Sequence, residues 1–216
     1  MTDLKNGIEQ AVKYWDKKSD DSSSNLESVE QNGRPQRMRY ESFILANDLT
    51  NTSILDVGCG AGDFLYHLNK KDIPIDYFGT DISQNMVERC SARFPQEKFS
   101  TIDIRNLSPE KPFDYVVSFG IHNIKVESAW DILKEYTQKQ FDLCSTAAHM
   151  SILTDRYTGR FDEHIQAWTA EEVFKMALDI TPYVSLQHNY LPNDFSITLY
   201  REPIIDTKPG LMLDYE

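Results

Sequence analysis

Apolar and polar residues follow two spacings along this chain. Short apolar runs that end near an acid or a glycine predict buried strands at 54–57, 75–82, 98–104 and 113–120. Apolar positions three or four residues apart predict helices at 8–18, 35–49, 63–70, 84–94 and 128–141, and a further helix that begins at Thr169. Strands and helices therefore alternate, which is the pattern of a parallel sheet covered by helices.

The C-terminal third of the chain predicts a different strand arrangement. A fifth strand lies within 142–153, and the runs 183–190 and 194–201 flank a short turn, which is typical of a hairpin. We therefore predict an α/β fold with a seven-stranded, mostly parallel, doubly wound sheet and a C-terminal antiparallel hairpin.

The same patterns predict how the chain is divided. Residues 1–50 form an N-terminal helical cap, 51–202 form the core, and 203–216 form an irregular tail, all within one domain. The polar, serine-rich stretch 19–25 predicts a mobile hinge within the cap.

Composition and charge narrow the classes of partner. The 216 residues carry a formal net charge of −12, which would repel a polyanion, so we predict a small-molecule partner and no nucleic acid. No stretch has the apolar length of a membrane span, and the first residues do not resemble a signal peptide. We therefore expect no membrane partner and a cytoplasmic location. The three cysteines lack metal-ligand spacing, which predicts neither a metal site nor disulfides.

The first strand leads into three glycines, Gly58, Gly60 and Gly62, spaced G-x-G-x-G. Glycines at such a turn adopt backbone angles that a Cβ forbids, and they let a ligand lie against bare backbone. This spacing differs from the G-x-G-x-x-G of dinucleotide-binding folds. Asp56, just before the turn, would repel a pyrophosphate and attract a cation. A small polar ligand is therefore predicted here.

The stretch Leu55-Asp56-Val57-Gly58-Cys59-Gly60-Ala61-Gly62 resembles motif I of the class I S-adenosylmethionine-dependent methyltransferases, of the type that acts on small molecules. Asp81 matches motif II of that family, and the fourth strand resembles motif IV. The resemblance implies a Rossmann-like core, a methyl-transferring enzyme, S-adenosyl-L-methionine as cofactor and S-adenosyl-L-homocysteine as product. The cofactor-binding residues that it implies are Arg39, Asp56, Gly58, Cys59, Gly60, Asp81, Ile82, Asp103, Ile104 and Phe119.

Several of these residues have a second interpretation. Asp81 would accept hydrogen bonds from the ribose hydroxyls, or it would cap the helix that follows. Asp103 resembles the acid beside the adenine amino group, or it is a turn residue. Ile82 would pack on the adenine. Arg39, together with Gln36, would meet the methionine carboxylate, or it belongs to a solvated basic face.

The acceptor side has weaker signals, because methyl transfer needs alignment and water exclusion but needs a base only for a protonated acceptor. His122, in the loop after the fourth strand, is the candidate base, although it could instead pack or bond the backbone. A long loop after the fifth strand predicts part of the acceptor pocket. The candidate acceptor-binding residues are Asn123, Tyr157 and His164.

Together these observations predict a methyltransferase that acts on an oxygen or nitrogen of a small metabolite, such as a sugar or a biosynthetic intermediate. Two alternatives remain open: a nucleotide- or nicotinamide-binding oxidoreductase on a similar sheet, and a non-catalytic module that binds S-adenosylmethionine. The glycine spacing and Asp56 disfavour the oxidoreductase. The sequence names neither the acceptor nor the oligomeric state.

Overall fold

The computed structural model describes residues 2–21 and 33–204, with side chains for 4–20 and 33–204. The elements in chain order are α1 (Thr2–Asp21), α2 (Gly33–Ile44), β1 (Thr52–Val57), α3 (Asp63–Lys70), β2 (Ile75–Asp81), α4 (Gln84–Arg93), β3 (Lys98–Thr101), a 3-10 helix (Ile104–Asn106), β4 (Phe113–Phe119), α5 (Ala129–Leu143), β5 (Cys144–Leu153), α6 (Ala170–Leu178), β6 (Val184–Leu191) and β7 (Asp194–Tyr200).

Seven strands of the described chain form one sheet in the order β3-β2-β1-β4-β5-β7-β6. Neighbouring strands from β3 to β5 are parallel, and β7 runs antiparallel to both β5 and β6. The predicted fold class, including the C-terminal hairpin, is therefore confirmed. The strand order reverses between β1 and β4, and such a switch point leaves a crevice at the carboxyl ends of the strands.

The central strands are apolar on both faces because helices cover both sides of the sheet. Leu55 and Val116 pack in the cluster shared with α5 and α6, whereas Ile54 and Val117 pack in the cluster beneath α2 and α3. Burial of one such side chain stabilises the fold by about 1.5–3 kcal/mol. Burial on both faces therefore holds β1 and β4 firmly, and their carboxyl ends give the crevice a rigid base.

The largest differences from the predicted element boundaries are in the first two helices and in β3. The first helix spans Thr2–Asp21 rather than 8–18, and the second begins at Gly33 and ends at Ile44 rather than spanning 35–49. Strand β3 ends at Thr101, because Asp103 caps a 3-10 helix by accepting a hydrogen bond from Arg105 N at 3.0 Å.

Two predicted features fall largely outside the part of the chain that the structure describes. Most of the serine-rich hinge lies within 22–32, and most of the tail lies within 205–216. The first three residues of the predicted hinge, 19–21, instead belong to α1, so the hinge prediction is wrong for them. Among the described helices, none is both long and apolar enough to cross a membrane.

Candidate active site

A cavity lies at the carboxyl ends of β1, β2 and β4, at the reversal of strand order. It has an empty volume of about 1160 Å³, part of which is open to solvent. Helix α1 lies across it and contributes Gly7, Ile8, Ala11 and Trp15 to the lining. The loops that follow the three strands form the floor, so residues from distant parts of the sequence meet here.

The glycine turn forms one wall of this cavity. Gly58, Gly60 and Gly62 all have positive φ, at 72°, 53° and 78°, which a residue with a Cβ rarely adopts. A Cβ at Gly58 would also lie 2.2 Å from Ile121 Cγ2. The amides of Gly58 and Cys59 both donate to the carbonyl oxygen of Thr80, at 2.7 and 2.9 Å. The turn is therefore fixed to the end of β2, and the N-terminus of α3 follows it at the cavity.

Asp81 lies at the end of β2 and lines the cavity beside this turn. Its Oδ2 accepts a hydrogen bond from Gly60 N and its Oδ1 accepts one from Ser83 N, each at 2.9 Å. Burial raises its pKa to about 6, although the backbone hydrogen bonds oppose the rise. Ser83, rather than Asp81, is the N-cap of α4, because Ser83 Oγ accepts a hydrogen bond from Met86 N. The helix-cap interpretation of Asp81 is therefore wrong.

Asp56 is a second buried carboxylate on the same wall, 2% exposed. The hydroxyl of Tyr77 donates to Asp56 Oδ2 at 2.6 Å. Burial raises the pKa of Asp56 to about 7, the Tyr77 hydrogen bond opposes this rise, and the nearby Asp81 adds to it. Among the described residues that line the cavity there is no lysine or arginine. A positively charged ligand would therefore supply the countercharge that the lining does not provide for these acids.

We expect Asp56→Asn to change how the stability of the unliganded protein depends on pH. The pKa of Asp56 is about 7 in the folded protein and about 3.9 in an unfolded chain. The neutral carboxyl makes its full contribution to the free energy of unfolding below the pKa that Asp56 has in the unfolded chain. This contribution is lost as pH rises through the pKa that Asp56 has in the folded protein. Asparagine stays neutral and can still accept from Tyr77. The variant should therefore gain in free energy of unfolding, relative to the wild type, between about pH 5 and pH 8.

Urea unfolding of both proteins at the two pH values measures this difference. Asp76→Asn is the control, because Asp76 lies on the same strand as Tyr77 but is exposed. In the control, the free energy of unfolding should change between the two pH values by the same amount as in the wild type. The same pH dependence in Asp56→Asn as in the wild type would show that Asp56 has an ordinary pKa.

Four other predicted cofactor residues also line the cavity: Cys59, Ile82, Ile104 and Phe119. Asp103 does not. Its carboxylate forms an ion pair with Arg105 at 2.7 Å and caps the 3-10 helix, which is the turn-residue interpretation of this acid. The neighbouring apolar residues Ile102 and Ile104 face the cavity in its place.

Arg39 lies outside the cavity lining as well. It is buried on α2, and its Nε donates to Asp194 Oδ2 on β7 at 2.8 Å. The hydroxyl of Tyr190 donates to the other oxygen of Asp194. This ion pair ties α2 to the hairpin. Gln36 and Tyr40, from the same helix, do line the cavity.

His122 is the predicted catalytic residue that reaches the cavity. It is 6% exposed, and its Nε2 has no hydrogen-bond partner among the described residues. Burial lowers its pKa to about 3, so the ring is neutral at ordinary pH. Trp168 Nε1 donates to the carbonyl oxygen of His122 at 2.8 Å, and the Tyr136 ring lies edge-on at 5.7 Å. His122 therefore reaches the cavity as a neutral imidazole with an unpaired ring nitrogen.

The structure places the three predicted acceptor-binding residues away from the cavity lining. Asn123 Oδ1 accepts a hydrogen bond from Leu153 N at 3.0 Å. The Tyr157 ring packs against Phe161 at 5.2 Å, and the His164 ring packs against Tyr14 of α1 at 5.5 Å. These residues shape the loops around the cavity rather than its surface.

The residues that sequence reasoning missed are mostly apolar and come from α1, from α5, from the loops between the strands and helices, and from the segment before α6. Trp15 and Ile8 belong to the apolar face that predicted α1, but nothing in the pattern showed what that face covers. Trp168 directly precedes the predicted helix start at Thr169. Apolar residues of this kind look like ordinary core until the fold shows that they border a cavity.

Helix α1 is joined to the core by apolar packing of Leu4 and Ile8 and by several polar contacts. Near its C-terminal end, Ser83 Oγ donates to Asp16 at 2.5 Å and Asn85 donates to Asp20 at 2.9 Å. Midway along the helix, the Gln10 side chain exchanges two hydrogen bonds with Glu127. Contacts of this kind are weak when exposed, so α1 can separate from the cavity more easily than the sheet can unfold.

Comparison with known proteins matches residues 54–140 to the methyltransferase-domain family. A putative methyltransferase of Mycobacterium tuberculosis is 34% identical over 76 residues, which are 35% of this chain and 45% of that protein. One from Invertebrate iridescent virus 6 is 26% identical over 96 residues, 44% of this chain and 36% of that protein. The chain thus matches less than half the length of either relative.

Solved structures share the fold over most of the chain. The magnesium protoporphyrin IX methyltransferase of Synechocystis PCC 6803, with bound SAH, superposes with a TM-score of 0.62 at 13% identity, covering 92% of this chain and 97% of that one. The DhpI–SAH complex has a TM-score of 0.67 at 14% identity, covering 93% and 99%. The plantazolicin methyltransferase BpumL, in complex with a triazolic desmethylPZN analog and SAH, has a TM-score of 0.63 at 15% identity, covering 89% and 97%.

Proposed function

We propose that this chain, by its domain and fold a class I S-adenosylmethionine-dependent methyltransferase, binds its cofactor in the cavity beneath α1. We propose that it transfers the methyl group to an oxygen or nitrogen of a small metabolite. The observation that carries this proposal is the pair of buried acids, Asp56 and Asp81, beside the glycine turn, with no basic side chain among the described lining residues. This wall suits a ligand with ribose hydroxyls and positive charge.

The individual contacts can be assigned from the lining. The Asp81 carboxylate accepts hydrogen bonds from the ribose hydroxyls, and Asp56 faces the ammonium group of the methionine end. Ile82 and Ile104 flank the adenine. Gln36 takes the place we predicted for Arg39 at the methionine carboxylate, because Arg39 is engaged with Asp194. Gly58 and Gly60, both with positive φ, carry no side chain between the turn and the cavity, which is consistent with a ligand against bare backbone.

S-adenosylmethionine supplies a methyl carbon bound to a sulfonium, ready for direct displacement. The protein aligns the reactants and excludes water, which α1 does by covering the cavity with Trp15 and Ile8. Phe119 and Gly120 lie at the end of β4, where the methyl group and acceptor would meet. His122 Nε2 takes up the proton that a hydroxyl acceptor releases as its oxygen bonds to the methyl carbon, or the proton that an ammonium acceptor loses before its nitrogen attacks.

The lining also bears on the acceptor. Its charged residues are all acids, Asp56, Asp63 and Asp81, and most of the rest is apolar. An anionic acceptor such as a phosphate ester would meet no cation there, so we propose an uncharged or cationic acceptor. The net charge of −12 is also unfavourable for a nucleic acid. The named solved structures differ in their acceptors and do not choose one for this chain.

Calorimetric titration tests the proposed function directly. S-adenosylmethionine and S-adenosylhomocysteine should bind, and NAD should not. Incubation with methyl-labelled cofactor and a panel of neutral, cationic and anionic small molecules then tests transfer. Cofactor binding without transfer to any class, including peptides and tRNA, would favour a non-catalytic binding module. Binding of NAD in place of S-adenosylmethionine would favour the oxidoreductase.

We also propose that residues 1–50 act as the cap and 51–202 as the core, and that α1 orders over bound cofactor. The contacts of α1 with the core should then be reinforced by apolar contacts between the ligand, Trp15 and Ile8. Amide exchange across residues 8–15 should slow when S-adenosylhomocysteine is added. Strand β6, at the far edge of the sheet, serves as the internal control and should not change. Equal exchange at 8–15 in both states would contradict the closing of this cap.

The three cysteines are free thiols in the described structure. We propose a cytoplasmic location, where such thiols stay reduced.

A further inference from the structure

Two cysteine side chains face each other behind the glycine turn. Cys59 Sγ and Cys90 Sγ lie 3.8 Å apart, and Cys90 Sγ donates to the carbonyl oxygen of Gly60 at 2.9 Å. Cys59 is 7% exposed and lines the cavity, whereas Cys90 is fully buried on α4. The two thiols therefore connect the proposed cofactor turn to a helix on the neighbouring side of the cavity.

Two glycines lie against the two sulfur atoms, and their missing side chains leave the space that the sulfur atoms occupy. A Cβ at Gly79 would lie 3.0 Å from Cys59 Sγ, and a Cβ at Gly62 would lie 3.1 Å from Cys90 Sγ. Both positions therefore leave room for a sulfur atom and little more. Since a disulfide bond is about 2.05 Å long, the sulfurs would need to approach by about 1.8 Å to form one.

We propose that Cys59 and Cys90 form a reversible disulfide when a small disulfide compound enters the unliganded cavity, and that this bond disables the cofactor site. Cys59 loses its proton to solvent, and its sulfur attacks one sulfur of the entering compound, which releases one thiol after protonation. Cys90 Sγ then displaces the second thiol, which takes up the proton of Cys90. The two cysteines lose two electrons, and the entering disulfide is reduced to two thiols.

The bond acts on the turn that we assign to the cofactor. Cys90 Sγ would leave the Gly60 carbonyl, and Gly60 N, which donates to Asp81 at 2.9 Å, would shift with the turn. A bound cofactor would in turn cover Cys59 and protect the pair. The hydrogen bond to Cys90, together with burial, raises the pKa of Cys59, so the exchange should accelerate as pH rises.

Cystamine is a suitable probe, because it is a small disulfide with two positive charges and the cavity wall is acidic. The reduced full chain is incubated with cystamine, with and without saturating S-adenosylhomocysteine. Intact mass and peptide mapping should show the loss of two hydrogen atoms and a Cys59–Cys90 link, formed more slowly when the ligand is present. Calorimetry should show an affinity for S-adenosylhomocysteine that is lower by at least about tenfold, the effect of losing a hydrogen bond to a charged group. Dithiothreitol should restore it.

Two variants separate this reaction from unrelated thiol chemistry. Cys90→Ser should stop at the mixed disulfide, with a mass gain of one cysteamine on Cys59. Cys144→Ser should react like the wild type, because Cys144 is buried elsewhere and donates to the Phe141 carbonyl. Unreacted thiols at both positions in the wild type, or a link that leaves ligand affinity unchanged, would overturn the proposal.

The inference rests on the proposed function for the ligand that protects the pair and for the affinity that the bond lowers, whereas the link itself is read by mass. Failure of the reduced protein to bind S-adenosylhomocysteine contradicts the proposed function. Normal binding by the reduced protein together with unreacted cysteines contradicts the disulfide.

Discussion

Asp81→Ala should weaken the binding of S-adenosylhomocysteine by about 10- to 150-fold, which corresponds to losing about 1.5–3 kcal/mol of hydrogen bonding to a charged group. Two effects contribute. The ribose hydroxyls lose their acceptor, and Gly60 N loses the carboxylate that holds the glycine turn at 2.9 Å. Calorimetric affinity measures the loss, and a urea unfolding curve confirms that the variant is folded.

Asp103→Ala is a matched control for this variant. Asp103 is the acid that follows the next strand, but its carboxylate is engaged with Arg105 and does not line the cavity. Its truncation should leave the affinity for S-adenosylhomocysteine nearly unchanged. An equal loss in both variants would show that Asp103 meets the adenine, as the family resemblance implies. Unchanged affinity in a folded Asp81→Ala variant would remove Asp81 from the site.

His122→Ala should lower turnover by about 10²–10⁴-fold, the usual effect of removing a general base. Cofactor affinity should stay close to that of the wild type, because the proposed contacts to the ribose and the ammonium group come from Asp81 and Asp56. His122→Gln fills a similar volume but cannot act as a base, so it should lose turnover to a similar extent. Steady-state kinetics at saturating cofactor, with calorimetry alongside, separate the two effects.

His149→Gln is the matched control for His122→Gln. His149 is also buried, burial lowers its pKa to about 3 as well, and it does not line the cavity. His149→Gln should therefore change stability more than turnover. Near-normal turnover in a folded His122→Gln variant would assign His122 to packing and leave alignment as the main source of catalysis.

The pH dependence of turnover gives a separate test of His122. Because burial lowers its pKa to about 3, the neutral form dominates throughout the ordinary range. Turnover at saturating cofactor should thus show no decline from histidine protonation between about pH 5 and pH 8. A decline near pH 6 to 7 that disappears in His122→Gln would show that the residue titrates at its ordinary pKa.

Local pattern was enough to predict the fold class. Apolar runs and helical spacing are short-range signals, so the strands, their alternation with helices and the final hairpin could be assigned without knowing any contact between them. The glycine turn was equally accessible, because positive φ at Gly58, Gly60 and Gly62 is a property of the local backbone. Boundaries were less accurate where a side chain acted locally, as where Asp103 caps a 3-10 helix.

The sequence by itself determined the sheet, the cofactor turn and the acids Asp56 and Asp81 that we assign to the cofactor. Tertiary structure alone decided which of the other candidates reach the cavity. Arg39 is paired with Asp194, 155 residues away, and Cys59 lies beside Cys90 on another element. Partners so far apart in the chain leave no periodic signal, because the fold and not the spacing brings them together. Trp15 and Trp168 meet at one cavity for the same reason.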